Sequence, residues 1–207
     1  LSQPHNASIE IVLFDFGGVL AEEGFREGLK AIGRMHGLDA DSFFETAARA
    51  VYESGYVVGR ATESDFWALV KQRTGITAPE EALRAEIFRH FILRPWMLDV
   101  VGNLRRRGYM VGILSDQTDW LDRLDEQYGF FKEFHSVFNS YYLGVGKKDP
   151  AVFDLVVMKL GCPPSHVLFI DDHPGNIERA GSRGLRTILY SDRSSFLDEL
   201  KSLHVLE

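Results

Sequence analysis

One cysteine, Cys162, stands in 207 residues, so no internal disulfide can form, and a reducing, cytoplasmic setting is the expectation. Positive charge is also short. Lys and Arg number 23 against 30 Asp and Glu, and the net charge of −7 offers no field for nucleic acid or an anionic lipid surface. No apolar run approaches the roughly 20 residues of a membrane span, and the start of the chain lacks a secretory leader pattern. Internal repeats and low-complexity tracts are missing, which excludes solenoids and fibrous arrays. No cluster of His or Cys is spaced to hold zinc. The residues before Ile9 are polar and expected to fray, and the sequon at Asn6 reads as chance. What is there is ordinary globular material: 45% hydrophobic and 26% charged residues, enough for one α/β domain or for one carrying a smaller insertion.

Four short apolar runs read as strands buried on both faces: "IEIVLFDF" (9–16), "YMVGILSD" (109–116), "HVLFIDD" (166–172) and "RTILY" (186–190). "SVFNS" (136–140) is a weaker fifth. Amphipathic segments lie between them at 97–108, 149–161 and 176–184, each closing at a glycine. This alternation predicts a doubly wound parallel sheet.

One region breaks the pattern. From residue 21 to residue 95 no convincing strand occurs, and four helical periodicities follow one another, separated by Gly, Thr, Asp or Pro. The expected organisation is an α/β core of residues 9–20 and 96–207 with a helical insertion over 21–95, the chain returning to the sheet at Pro95. Phe43, Phe44, Phe66 and Trp67 are expected to pack inside the insertion.

Three strands end in polar residues: Asp15, then Ser115–Asp116, then Asp171–Asp172. Open α/β sheets bind ligands beyond the carboxyl ends of their strands. If these ends are neighbours, four carboxylates and a hydroxyl converge, and such acids repel unless a cation intervenes. Hard oxygen donors point to Mg²⁺. Lys147 or Lys148 in "GKKDP" would add positive charge.

"FDFGGVL", "GILSD", "GKKDPAVF" and "FIDDHPGN", in that order, resemble the four motifs of the haloacid dehalogenase superfamily, whose members are mostly Mg²⁺-dependent phosphatases with an aspartate nucleophile. The resemblance runs from about residue 9 to residue 190 and implies a Rossmann-like core. The insertion is similar to the α-helical cap of the subfamily that includes phosphoglycolate phosphatases and the epoxide hydrolase N-terminal domain. By position, Asp15 matches the nucleophile and a metal ligand, and Gly17 the residue whose backbone carbonyl also binds the metal. Gly18 is expected, on the same resemblance, to lie beside the phosphate. Ser115 matches the hydroxyl that holds the phosphoryl group, with Asp116 next to it, where asparagine is commoner. Lys147 matches the lysine spanning nucleophile and phosphate, Asp172 the direct metal ligand, and Asp171 its neighbour that orients metal-bound water. The resemblance implies a small phosphorylated metabolite as partner, and a monomer or homodimer.

Each residue alone has a plainer reading. Asp15 alone reads as a loop acid, Ser115 as a helix cap, Asp171–Asp172 as turn chemistry, and Lys148, Arg60 and His173 as solvated surface. "LRRRG" reads as the cationic end of a helix. Four motifs in order favour the functional reading. Gly17 is the departure: most similar phosphatases carry a second aspartate there, which protonates the leaving group. A subset has glycine. Glu22, Asp116 or a water are the expected substitutes, and residues 17 and 18 are both expected to make a sharp turn. The competing readings are a metal-independent 2-haloacid dehalogenase, which the acidic pair Asp171–Asp172 disfavours, a non-catalytic member binding a phosphometabolite or protein, and a phosphomutase, which would need the missing acid.

Overall fold

The computed structural model describes residues 8–206; the polar start and the sequon at Asn6 lie outside the described residues. The first strand, β1 (Ile11–Phe14), is followed by four helices in succession: α1 (Gly24–Met35), α2 (Ala40–Glu53), α3 (Glu63–Thr74) and α4 (Glu80–His90). The chain then runs through α5 (Pro95–Arg106), β2 (Met110–Ser115), α6 (Trp120–Tyr128), β3 (Ser136–Asn139) and the single turn α7 (Ser140–Leu143). It ends with α8 (Ala151–Leu160), β4 (Val167–Asp171), α9 (Pro174–Ser182), β5 (Arg186–Leu189) and α10 (Arg193–Ser202). Among the described residues no helix is long and apolar enough to cross a membrane.

The five strands form one parallel sheet in the order β3-β2-β1-β4-β5. Side chains alternate across a strand, and here both faces are covered. Ile11 and Leu13 face a core shared with Val152, Phe153 and Val156 of α8, while Val12 and Phe14 face the opposite one. That double burial is why the strands read as unbroken apolar runs. The second core takes in Val101 and Leu104 of α5 and Leu121 and Leu124 of α6. It continues without a break into Leu29, Ile32, Phe43, Phe66, Trp67 and Ile87 of the four helices after β1.

Local chemistry sets the helix ends. Thr62 and Asp65 form a capping box at the start of α3, and Gly75 ends that helix in a left-handed conformation. Asp192 caps α10 by accepting from the Ser194 and Ser195 N–H groups. Pro95 occupies the first turn of α5, where its missing N–H costs nothing. At their carboxyl ends the strands stop one or two residues short of the sequence pattern: Asp15, Asp116 and Asp172 already belong to the loops, while Asp171 is the last residue of β4.

Candidate active site

The strand order makes β2, β1 and β4 neighbours, so the residues at or just beyond their carboxyl ends share one edge of the sheet. There a cavity of about 440 Å³ opens, floored by Asp15, Gly17, Ser115, Lys147 and Asp172 and roofed by residues of α1 and α2. Asp15 is 8% exposed, Lys147 2% and Asp171 0%, so the central charges are almost wholly withdrawn from water.

Buried charges must be paired. Lys147 Nζ lies 2.7 Å from Asp15 Oδ2 and 2.6 Å from Asp171 Oδ2, bridging the two carboxylates. Asp15 Oδ1 accepts from the Ser115 hydroxyl at 2.6 Å and from the Phe16 N–H at 2.7 Å. Asp171 takes a full set of donors: besides Lys147, the His173 N–H at 2.7 Å and the Asn176 amide at 3.0 and 3.1 Å. Arg179 secures this arrangement from α9 by donating to the Lys147 carbonyl at 2.6 Å and to Asn176 Oδ1 at 2.7 Å.

These surroundings divide the acids. Burial pushes the Asp15 carboxyl well above the usual carboxylate range, with Lys147 opposing and Asp171 adding to the rise. Burial also raises Asp172, reinforced by Asp171. For Asp171 burial is outweighed by the Lys147 charge and the hydrogen bonds, and its carboxyl is held below the ordinary value. Burial would lower Lys147, but Asp15, Asp171 and Asp116 together raise it and keep it protonated. One oxygen each from Asp15, Asp171 and Asp172 lies within 4.8 Å of the others. Asp172 takes no hydrogen bond from another side chain among the described residues. The donor set is all oxygen, which suits a hard divalent cation.

Several expectations need correction. Three carboxylates converge, not four. Asp116 turns away from Asp15 and accepts the Lys147 N–H at 2.9 and 3.1 Å, with the Tyr52 hydroxyl at 3.4 Å; those donors satisfy it without a cation. The turn is made by Gly18, with φ +81°, and Gly17 has no positive φ. Glu22 is not free to act as an acid. It grips Arg94 at 2.8 and 3.0 Å, and Arg94 in turn donates to the carbonyls of Gly18 at 2.5 Å and Val19 at 3.1 Å. The hydrogen bonds from Arg94, with its charge added against the effect of burial, hold the Glu22 carboxyl low. Phe43, Phe66 and Trp67 are buried in the core; Phe44, half-buried, packs against that core as expected and also lines the cavity.

Arg60 is exposed and does not line the cavity; of the arginines in the helices after β1, Arg26 of α1 does, beside Phe44 at 5.6 Å. Lys148 is exposed, its ammonium 3.4 Å from the centre of the Tyr52 ring, which ties the loop to α2. His173 caps α9, accepting the Gly175 N–H. Residues that the sequence pattern did not single out are Glu23, Arg26, Tyr52, Gln117 and Asn176. Only Asn176 had a signal, its place inside "FIDDHPGN".

The sequence model of the haloacid dehalogenase-like hydrolases matches residues 9–181. Bifunctional epoxide hydrolase 2 of Rattus norvegicus is 26% identical over 95% of this chain, which spans 39% of that protein's length. A D-ribitol-5-phosphate phosphatase of Bacteroides thetaiotaomicron is 25% identical over 93% of this chain and 97% of its own. Among solved structures, a HAD family enzyme of Bacteroides thetaiotaomicron, in complex with magnesium and inorganic phosphate, has a TM-score of 0.72 at 22% identity. That likeness covers 92% of this chain and 99% of the other, and it establishes the shared fold. The family match runs from the strand before Asp15 into the helix after Asp172, and on that ground the chain belongs to the haloacid dehalogenase-like hydrolases.

Proposed function

We propose that this hydrolase is a Mg²⁺-dependent phosphatase that cleaves a small phosphate monoester by way of an aspartyl phosphate on Asp15. The observation that carries the reading is the buried constellation of Asp15, Asp171, Asp172 and Lys147 on the floor of one cavity. Asp15 and Asp172 would hold the ion, with the Gly17 carbonyl beside them and Asp171 fixing Lys147 behind. Bound Mg²⁺ would offset the repulsion between a carboxylate nucleophile and a phosphate dianion.

The chain's own groups do the rest. Lys147 and Ser115, both in contact with Asp15, can move to the oxygens of an incoming phosphoryl group without leaving the cavity. Asp15 then attacks phosphorus, and water hydrolyses the acyl phosphate in a second step. The helices after β1 act as a cap: Phe44, Val51 and Tyr52 of α2 cover the site, exclude water and select the substrate. Arg26 at the mouth would meet a polar or anionic substrate tail. A phosphorylated sugar or polyol is therefore the first class to try, with the relative's ribitol phosphate among its members.

The experiment is a phosphomonoester panel with Mg²⁺, run beside 2-chloropropionate without metal. Hydrolysis of p-nitrophenyl phosphate is expected, lost in EDTA and lost in Asp15→Asn. Metal-independent release of chloride, or phosphatase activity that survives in Asp15→Asn, overturns the reading.

A further inference from the structure

An alkyl phosphate leaves behind an oxygen that departs poorly without a proton, and that proton needs a donor inside the cavity. Most acids near Asp15 are committed elsewhere. Asp171 is saturated by Lys147, His173 and Asn176; Asp116 accepts from the Lys147 backbone; Glu22 grips Arg94. Glu23 is the least committed of them, for among the described residues no side chain donates to it. It occupies the N-cap position of α1, where the Arg26 N–H faces its carboxyl without completing a capping hydrogen bond, and it lines the cavity together with Asp15 and Gly17.

Gly17 makes room for it. A Cβ placed on Gly17 would lie 3.7 Å from Glu23 Oε1, 3.7 Å from Gln117 Nε2 and 3.7 Å from the Phe91 ring. The space a side chain at residue 17 would reach into is thus bordered by the Glu23 carboxylate, an amide and an apolar wall. Resting on the phosphatase reading above, we infer that Glu23 is the proton-transfer residue of this site, its carboxyl serving from α1 in place of any side chain at residue 17.

The charged groups around Glu23 are Asp172, Arg26 and Lys147. Burial, followed by Asp172, raises its carboxyl, while Arg26 with its backbone N–H and Lys147 draw it back. In the first step Asp15 bonds to phosphorus and the ester P–O bond breaks, its electron pair passing to the leaving oxygen. The Glu23 carboxyl gives that oxygen its proton, so the alcohol departs and Glu23 is left as a carboxylate. In the second step water attacks phosphorus and passes a proton to Glu23. The P–O bond to Asp15 breaks, its electron pair returns to the Asp15 carboxylate, and hydrogen phosphate leaves.

The test compares kcat/KM for glycerol phosphate, whose leaving group needs a proton, with that for p-nitrophenyl phosphate, whose leaving group hardly does. Glu23→Gln should lower the alkyl-to-aryl ratio by about 10²–10⁴ while keeping the Mg²⁺-induced thermal shift of the wild type. A role confined to capping α1 would lower stability or both rates together and leave the ratio alone. Gly17→Asp in the Glu23→Gln background should restore part of the ratio, since a Cβ at residue 17 meets only ordinary contacts. An unmoved ratio in folded, Mg²⁺-responsive Glu23→Gln overturns this inference and spares the phosphatase reading. A wild type inert toward both esters overturns the two together.

Discussion

Gly17 and Gly18 are adjacent in sequence and opposite in what they tolerate. Gly18 holds φ +81°, and a Cβ there would sit 2.6 Å from Asp172 Cγ, so alanine meets both a strained backbone and the carboxylate. Left-handed geometry alone costs a non-glycine residue about 1–2 kcal/mol. Gly18→Ala should therefore lower stability in urea by at least about that much and weaken the Mg²⁺ response. Gly17→Ala should stay within about 0.5 kcal/mol of the wild type. Equal stabilities for the two variants would mean the loop adapts freely. Lys147→Met leaves Asp15 and Asp171 buried together with no cation, a loss of about 3–5 kcal/mol. Its deficit in denaturant titrations should shrink on acidification, because a protonated carboxyl needs no counter-charge. At this scale the sequence showed Asp15, Lys147 and Asp172 coming together, since motif order and strand-end position put them there. It did not separate Glu22 from Glu23. Which of two consecutive acids points inward depends on the turn into α1, where Glu23 takes ψ 69°, and no composition or period encodes that.

Two glycines in helices make a matched pair of tests among the elements. In α1, a Cβ on Gly28 would lie 2.5 Å from Ile87 Cα, so this glycine lets α1 and α4 approach backbone to backbone. Alanine gains about 1 kcal/mol of helix propensity there, but overpacking against a backbone costs about 1–3 kcal/mol. Destabilisation of Gly28→Ala is the expected net result in thermal unfolding. Gly181 in α9 has nothing within 4 Å of a built Cβ, so Gly181→Ala should stabilise by about 0.5–1 kcal/mol. Matching signs for the two would refute the close-approach argument. Strands proved the most legible elements, because burial on both faces writes an uninterrupted apolar run. α6 and α10 were not legible. "WLDRLDEQY" is broken up by charge, and its partners around Trp120 come from far earlier in the chain: Tyr56 from the connection between α2 and α3, Phe66 and Trp67 from α3. The convergence of that aromatic cluster is tertiary information.

For the molecule as a whole, the acids at the strand ends link metal, protons and stability. In the metal-free protein Asp15 and Asp172 hold their protons more tightly than in the unfolded chain. Their contribution to stability therefore falls as pH rises from the ordinary carboxylate range through their raised values. Asp171 has the opposite sign: its contribution is present above the ordinary carboxylate range and is lost on acidification. A divalent cation held as proposed, by Asp15 and Asp172, must displace their protons. Mg²⁺ should thus raise the thermal midpoint more at about pH 7.5 than at about pH 5. Asp172→Ala should abolish the shift at both, and a pH-independent shift in the wild type would place the ion elsewhere. The sheet order has a further consequence, for the ribosome rather than for the finished site. β1 is the central strand and the first synthesised, yet its two neighbours, at Met110 and Val167, follow only after long intervening stretches of chain. During translation the apolar run that carries Asp15 must wait, unpaired on both edges, while the four helices after it emerge and pack. Those helices, continuous with the core beneath Val12 and Phe14, can shield one face of the waiting strand. Truncations that end before β4 should accordingly aggregate and bind chaperones, and chains released just beyond it should fold.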